Sequence, residues 1–474
     1  MATLIEQHPL YDTLPVGQDV IFTVSNTSVV SSYTNVKFIA EVHISAGQPP
    51  NPSTTTDIVG TFKTTPNNAG VGMFDFRPII ESFVKSDHKA LSNSSYKTDV
   101  NTNLRTPLHL IDKFSGNNNS FRYLAVKFSI EYIDDGVLIT DSFINSANFN
   151  IINGYLKYTD NLEIGTGSNS NDFGFNMLQF ELSYNNTTAG FLTNAPTTQY
   201  ANLEDYGTVA MLNIAKVFKS GSTLPGVRYI TFTFLLEDGS TVNDSIELVD
   251  TADGGFPYTQ QDRAYNQIAY AGVFPANLRG WSTVFNTNIN NIVSYTFIVQ
   301  SYLGAVAAPA SKTYQVNINC PTLKGYEPIR LTWLNQWGAW DYYTFTMKSS
   351  KMISTKGSTY QQLAGSWNES AYRIDSFKGG KKSFRVNATE KITMNTDFVN
   401  ESESEWFEEL INSPEVYILK GYEDVVETSS ALNQYVTPVR LTTSNYTKKT
   451  VANDKLMQYT FEVEKSKTLR TQSV

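Results

Sequence analysis

The chain has 474 residues, a formal net charge of −9 and one cysteine, Cys320. At about 150 residues per domain, this length predicts about three domains, each large enough to bury a core. A single cysteine excludes an intrachain disulfide framework and a cysteine-ligated zinc or iron–sulfur site, and an acidic balance with no basic block argues against a dedicated nucleic-acid binder.

Aromatic residues make up 13% of the chain, with 27 Tyr and 28 Phe. Together with abundant Thr, Val and Ile they suit pleated, half-buried surfaces, while the many Asn residues supply turns. Only 17% of residues are charged. A surface rich in Asn, Ser, Thr and Tyr costs less to desolvate than one of Lys and Glu, which hints at assembly. Residues 1–9 lack the basic and apolar regions of a secretory signal, so cytosolic synthesis is expected. The apolar run at 229–236 alternates with Thr, and no membrane insertion is expected.

In chain order, residues 16–26 and 36–44 alternate with period two and read as paired strands. Residues 48–52 and 65–70, rich in Pro, Asn and Gly, read as loops. Pro78 suits a first helical turn, and Ile79, Ile80, Phe83 and Val84 would share one face of a short helix packed on a sheet. A near-repeat follows about a hundred residues apart: 121–130 resembles 227–236, each run reaching an Asp-Gly turn, at Asp135-Gly136 and Asp238-Gly239. The pattern is either a duplicated β-sandwich domain or two hairpins that converge on alternation plus the same turn. Residues 153–203 read as long loops between short strands, with room for a linker or an exposed arm.

From about Cys320 the character shifts. Residues 327–345 read as a strand, a Trp- and Gly-containing turn and a second strand. A helix is predicted over about 403–412, with Ser402 and Glu405 as a capping box and Trp406, Phe407, Leu410 and Ile411 on the buried face. The expected class is mainly β, with two or three sandwich-like domains and a few short helices. Their expected bounds are 1–152, a loop-rich second domain at 153–319, and 320–474 with the one helix.

Several segments carry a resemblance: 14–24 (LPVGQDVIFTV), 330–335 (RLTWLN), 340–345 (WDYYTF), 405–417 (EWFEELINSPEVY) and 453–462 (NDKLMQYTFE). Together they resemble virion structural proteins of tailed phages of Bacteroidetes, including crAss-like phages. The likeness spans about the first ninety residues and the last hundred and fifty, and includes no catalytic signature. It implies a neck, tail-ring or baseplate-type subunit that forms a symmetric ring with copies of itself, docks other virion tail and neck proteins, and has passing contact with phage DNA.

The residues themselves offer little chemistry. His8, His43, His88 and His109 show no metal-ligand spacing, and His43 reads as a satisfied surface or interface histidine. Lys381 follows Gly379-Gly380 without the upstream Gly of a phosphate-binding loop, and the basic run 378–382 reads as a solvated hairpin tip. Glu401, Glu403, Glu405, Glu408 and Glu409 fit a helix start and its solvent face better than a pair of glycosidase carboxylates. Cys320 reads as a small buried hydrophobe. Trp333, Trp337, Trp340, Tyr342, Trp406 and Phe407 are the packing or interface candidates, and no catalytic, cofactor or metal residue is assigned. The rival reading is a carbohydrate-binding, adhesin-like tail protein in which the three clustered tryptophans stack on sugars.

Overall fold

Alternation is realised as strand: among the described residues the computed structural model is mainly β, with 52% strand and 12% helix. It describes residues 3–9, 12–46, 50, 57–90, 107–117, 119–157, 164–165, 177–180, 182–212, 226–248, 267–303, 306–319, 325–366, 370–422, 435–443, 445, 457–467 and 470–473. Two compact units result: Met1–Asn319 with Leu334–Asp341 and Gly421–Asn433, and Cys320–Trp333 with Tyr342–Lys420 and Gln434–Val474. Residues 1–152 and 153–319 both lie in the first unit.

The first unit opens with β1 (Leu4–Pro9), β2 (Thr13–Pro15), β3 (Ile21–Ser25), α1 (Thr27–Ser32), β4 (Thr34–Ser45), β5 (Ile58–Thr64), β6 (Val71–Asp75) and α2 (Arg77–Ile80). It continues through β7 (Phe114–Gly116), β8 (Phe121–Asp134), β9 (Val137–Thr140), β10 (Ile144–Asn145), β11 (Phe149–Ile152) and β12 (Ile164–Gly165). One sheet runs β12-β1-β3-β6, the other β2-β11-β8-β4-β5. Phe22 and Val24 of β3 and Phe74 of β6 pack in one core with Phe38, Ala40 and Val42 of β4 and Val126, Phe128 and Ile130 of β8. Phe22 sits at its centre, its ring 5.5 Å from that of Phe128 and 5.6 Å from those of Phe76 and Phe149.

The expected pairing of 16–26 with 36–44 is not formed: β3 pairs with β1 and β6, and β4 with β5 and β8. The reason is α1, which carries the chain from one sheet to the other. Asn26 starts it, its Oδ1 accepting from the Val29 N–H at 3.3 Å. His43, expected at a surface, is buried in β4, flanked by strands on both sides. Of the predicted loops, most of 48–52 lies outside the described residues, whereas 65–70 is a turn closed by Asn67.

The rest of the unit comprises β13 (Thr198–Ala201), β14 (Thr208–Leu212), β15 (Gly226–Leu236), β16 (Thr241–Glu247), β17 (Ile268–Gly272), α3 (Pro275–Arg279), α4 (Thr283–Asn288), β18 (Ile292–Leu303), β19 (Val306–Pro309) and β20 (Tyr314–Ile318). The larger sheet runs β13-β20-β18-β15-β16, the smaller β14-β17-β7. This retraces the first path. In the first copy β2 lies parallel to β11, followed by antiparallel β8, β4 and β5; in the second β13 lies parallel to β20, followed by antiparallel β18, β15 and β16. The antiparallel pairs β3/β6 and β14/β17 hold matching places in chain order. Each is followed by a helix with a buried Phe at its N-cap, Phe76 or Phe274, and Pro in its first turn.

The duplication is therefore real in topology, but its period is about 185 residues (Thr13 of β2 to Thr198 of β13) rather than about a hundred. By place in the sheet β8 corresponds to β18, and β15 to β4. The two Asp-Gly turns also differ. Asp134 pairs with Val137 around a two-residue turn with Asp135 and Gly136 both at positive φ, while Gly239 closes a three-residue loop in which the Leu236 N–H donates to the Ser240 carbonyl. Part of the predicted loop region 153–203, including 166–176, lies outside the described residues. Within the described part Ala189, Phe191 and Leu192 are buried rather than loop-exposed, Phe191 packing against Phe297 and Tyr314.

The second unit is one eight-stranded sheet: β21 (Ile329–Leu334), β22 (Trp340–Phe345), β23 (Ser349–Gln362), β26 (Gly380–Asn395), β27 (Val416–Leu419), β28 (Val436–Leu441), β29 (Thr460–Lys465) and β30 (Arg470–Ser473). The small pair β24 (Gly365–Ser366) and β25 (Arg373–Ile374) sits between β23 and β26 in the chain. Helix α5 (Glu401–Asn412) starts two residues before its predicted position. Asn400, not Ser402, is the cap: its Oδ1 accepts from the Glu403 N–H at 2.9 Å, and the Glu403 carboxylate accepts from the Asn400 N–H at 2.9 Å. Two overlapping box patterns exist here, and the extended backbone of Asn400 selects the earlier one.

Replacing Phe22 with Ala should destabilise the first unit by about 3–5 kcal/mol, because three rings lose their common contact and the site cannot collapse. Urea unfolding of the purified chain checks this; a midpoint equal to that of the parent contradicts it.

Candidate functional site

The six candidate side chains are all buried, and they separate into two places. In the second unit, α5 presents Trp406 and Phe407 to the sheet. Trp406 lies 4.9 Å from Trp333, and Phe407 lies 4.8 Å edge-on to Tyr343 and 5.6 Å from Phe461. The helix is pinned beside them by a 2.7 Å contact between the Ser404 and Tyr459 hydroxyls. The Trp333 indole N–H has no acceptor among the described residues, so this ring contributes area rather than a directional bond. Tyr342 belongs to the same unit, with the Arg330 guanidinium 5.4 Å above its ring.

Two expectations for α5 need correction. Ile411 is only half-buried, and Glu409, expected in solvent, is 1% exposed. Helical periodicity explains both: 406, 409 and 410 share one face at i, i+3 and i+4, and 411 lies at its margin.

Trp337 and Trp340 do not join Trp333. They sit in the segment Leu334–Asp341, which packs within the first unit. Asn335 organises this turn with its whole amide. Its Oδ1 accepts from the N–H groups of Trp337 and Ala339, both at 3.0 Å, and its Nδ2 donates to the Leu192 carbonyl at 2.8 Å and to Asp341 Oδ1 at 3.0 Å. Gly338 completes the turn at φ +73°, where an added Cβ would lie 1.7 Å from the Asn153 carbonyl oxygen, so only glycine fits. The Trp337 indole N–H donates to Asn194 Oδ1 at 3.2 Å.

Trp340 donates its indole N–H to the main-chain carbonyl of Asp87 at 2.7 Å. The Asp87 carboxyl accepts from the Asn119 N–H at 2.6 Å, from the Tyr270 hydroxyl at 3.1 Å and from the Ser120 hydroxyl. His109 packs edge-on to Trp340 at 4.9 Å, and its segment is held by Asn277, whose Nδ2 donates to the His109 and Ile111 carbonyls. Burial, with His88 adding to it, pulls the His109 imidazole down from 6.5 to about 3. Asp87, Asn277 and Asn335 were absent from the sequence-based candidates. Only Asn335 carries a sequence signal, the Asn-x-x-Gly spacing of a side-chain-closed turn.

The arrangement is one of packing and hydrogen-bond closure. Among the described residues there is no group of three or more His, Cys, Asp or Glu side chains able to hold a metal ion, and no helix is long and apolar enough to cross a membrane. Cys320 lies outside the described residues. No protein-family model and no curated protein matches the chain.

Trp406→Ala should cost the second unit about 3–5 kcal/mol by opening a cavity against Trp333 and Phe407. Thermal denaturation checks it, and an unchanged transition contradicts it. The His109 environment predicts a pH dependence. The unfolded chain takes up a proton near pH 6.5 that the folded imidazole refuses down to about 3, so the stability is fully present above about 6.5. It falls on acidification through that window by about 1.4 kcal/mol per pH unit. His109→Gln should flatten the dependence between about pH 6.5 and 5, where carboxylates have yet to titrate. An undiminished slope in urea titrations of the variant overturns this.

Proposed function

We propose that the chain is a virion structural subunit of a phage neck or tail, forming a closed ring with copies of itself and docking to the next component of the tail. Its role is mechanical, not enzymatic. The observation that carries the reading is the fate of the aromatic candidates: every one is turned inward, where it closes turns and seats α5, in segments that resemble virion structural proteins. The glycan-binding alternative needs open ring faces, and Trp333, Trp337 and Trp340 are 0–4% exposed. An acidic wall also suits a DNA conduit, because a lining that bound phosphates through many ionic contacts would retain the genome.

Imaging of the intact particle is the direct test. A closed cyclic arrangement of this chain in the neck, tail or baseplate is expected; a single copy, or scattered fibres without cyclic contact, overturns the reading. The exposed helix-start carboxylates give a second readout: Glu401→Gln and Glu405→Gln should leave infectivity intact, whereas hydrolysis of a host polysaccharide by the purified chain would show chemistry that a passive subunit lacks.

A further inference from the structure

The formal charge of −9 is unevenly placed. Counting Lys and Arg against Asp and Glu, the first unit carries −14 and the second +5. Within the second unit, residues 349–395 alone hold eight basic and three acidic side chains, a net of +5. This segment is the β23–β26 hairpin, paired from Ser349↔Met394 to Gln362↔Gly380, an extended ribbon of about 45 Å at 3.3 Å per residue.

The ribbon leaves the sheet progressively. β29 covers β26 at residues 391–395 and β30 covers it at 385–388, while residues 380–383 pair with β23 alone. From 350 to 361 nearly every residue of β23 is exposed, on both faces. Beyond lies a tip with the apolar side chains of Leu363, Tyr372, Ile374 and Phe377 in solvent, Ile374 at 76% and Phe377 at 71% exposure, and Phe384 of β26 is exposed beside it. A bare two-stranded ribbon has no core of its own and is marginal in water. Exposed apolar side chains ringed by Lys and Arg mark a contact surface.

Resting on the ring-forming reading above, we propose that this ribbon is the arm by which one copy grips the next, its apolar tip and basic strands lying on the acidic first unit of a second copy of this chain. Charge complementarity selects that occupant: +5 on the arm meets −14 on the neighbour's first unit. Exposed Ile and Leu side chains at the tip favour a protein surface over a phosphate backbone. The contact is head-to-tail, joining different surfaces of two identical chains, the kind that closes into rings when the rotation allows.

The test uses the full chain with two variants at exposed positions, Ile374→Ser/Phe377→Ser and Lys356→Glu/Lys381→Glu, compared by sedimentation velocity over a concentration series. The parent should self-associate, more weakly as salt is raised. Each variant should keep the parent's circular dichroism and melting transition while its dissociation constant rises by roughly 30-fold, the effect of losing one interface hot spot. Variants that associate like the parent, or a parent that is monomeric at every concentration, overturn the arm. So does loss of binding to a random-sequence duplex DNA in the lysine variant with self-association untouched, which would make the arm a nucleic-acid contact. A particle image showing a closed ring whose arms touch only other proteins overturns the arm and leaves the ring; an image with no ring removes the reading itself.

Discussion

Three stretches of the first unit that are far apart in the chain converge on Asp87, a side chain 1% exposed. Its carboxyl takes donors from Asn119, Ser120 and Tyr270, and its own carbonyl takes the indole N–H of Trp340. A buried carboxyl without such partners would cost several kcal/mol, and each donor left alone would add its own penalty. Because these bonds are directional, they fix where the start of β8 in the first copy of the fold lies against β17 in the second. They also fix where the tryptophan turn enters. The packed cores supply most of the favourable free energy, but their contacts tolerate sliding in a way that a closed polar node does not.

What was legible in the sequence is what local periodicity encodes. Leu124, Val126, Phe128 and Ile130, like Ile230, Phe232 and Phe234, alternate cleanly and are buried in strands. Trp406, Phe407 and Leu410 mark the helix that buries them. Pairing was not legible. The strand around Phe22 and the strand around Phe38 read as partners, yet six residues of helix between them send them to opposite sheets. The 121–130 and 227–236 runs look alike, yet they occupy non-equivalent places, since two amphipathic strands with similar turns share a pattern without sharing neighbours. Trp333 was distinguishable from Trp337 and Trp340 only through partners elsewhere, among them one 253 positions away. Polar organisers such as Asp87 and Asn277 leave no periodic trace; a single residue in a loop acquires its role only when the distant carbonyls and hydroxyls arrive.

Placement of side chains by type carries the functional argument. The indoles of Trp333, Trp337, Trp340 and Trp406, the largest apolar surfaces available, are spent inside on turns and on the α5 seat. Of the nineteen large apolar side chains exposed among the described residues, seven lie on one ribbon, where Lys and Arg are also concentrated. A monomer with no contact to make would gain nothing from that division. Lys351 and Lys356 on the edge strand β23 also discourage indiscriminate strand-on-strand pairing, so its open edge is guarded while its side-chain faces remain available.

Strand β7 ties the two copies of the fold in time as well as in space. Phe114–Gly116 lies in the connection between α2 and β8 of the first copy, yet it hydrogen-bonds to β17 of the second, through Ala271↔Phe114 and Ala269↔Gly116. During synthesis these three residues emerge roughly 150 positions before their partner, a wait of about 8–30 s at 5–20 residues per second. Once β12 has emerged, every strand of the first sandwich is made while β7 still waits in its connecting segment, and the small sheet of the second copy closes only when the ribosome has delivered β17. A gene cut between the two copies would therefore separate a strand from the sheet it completes.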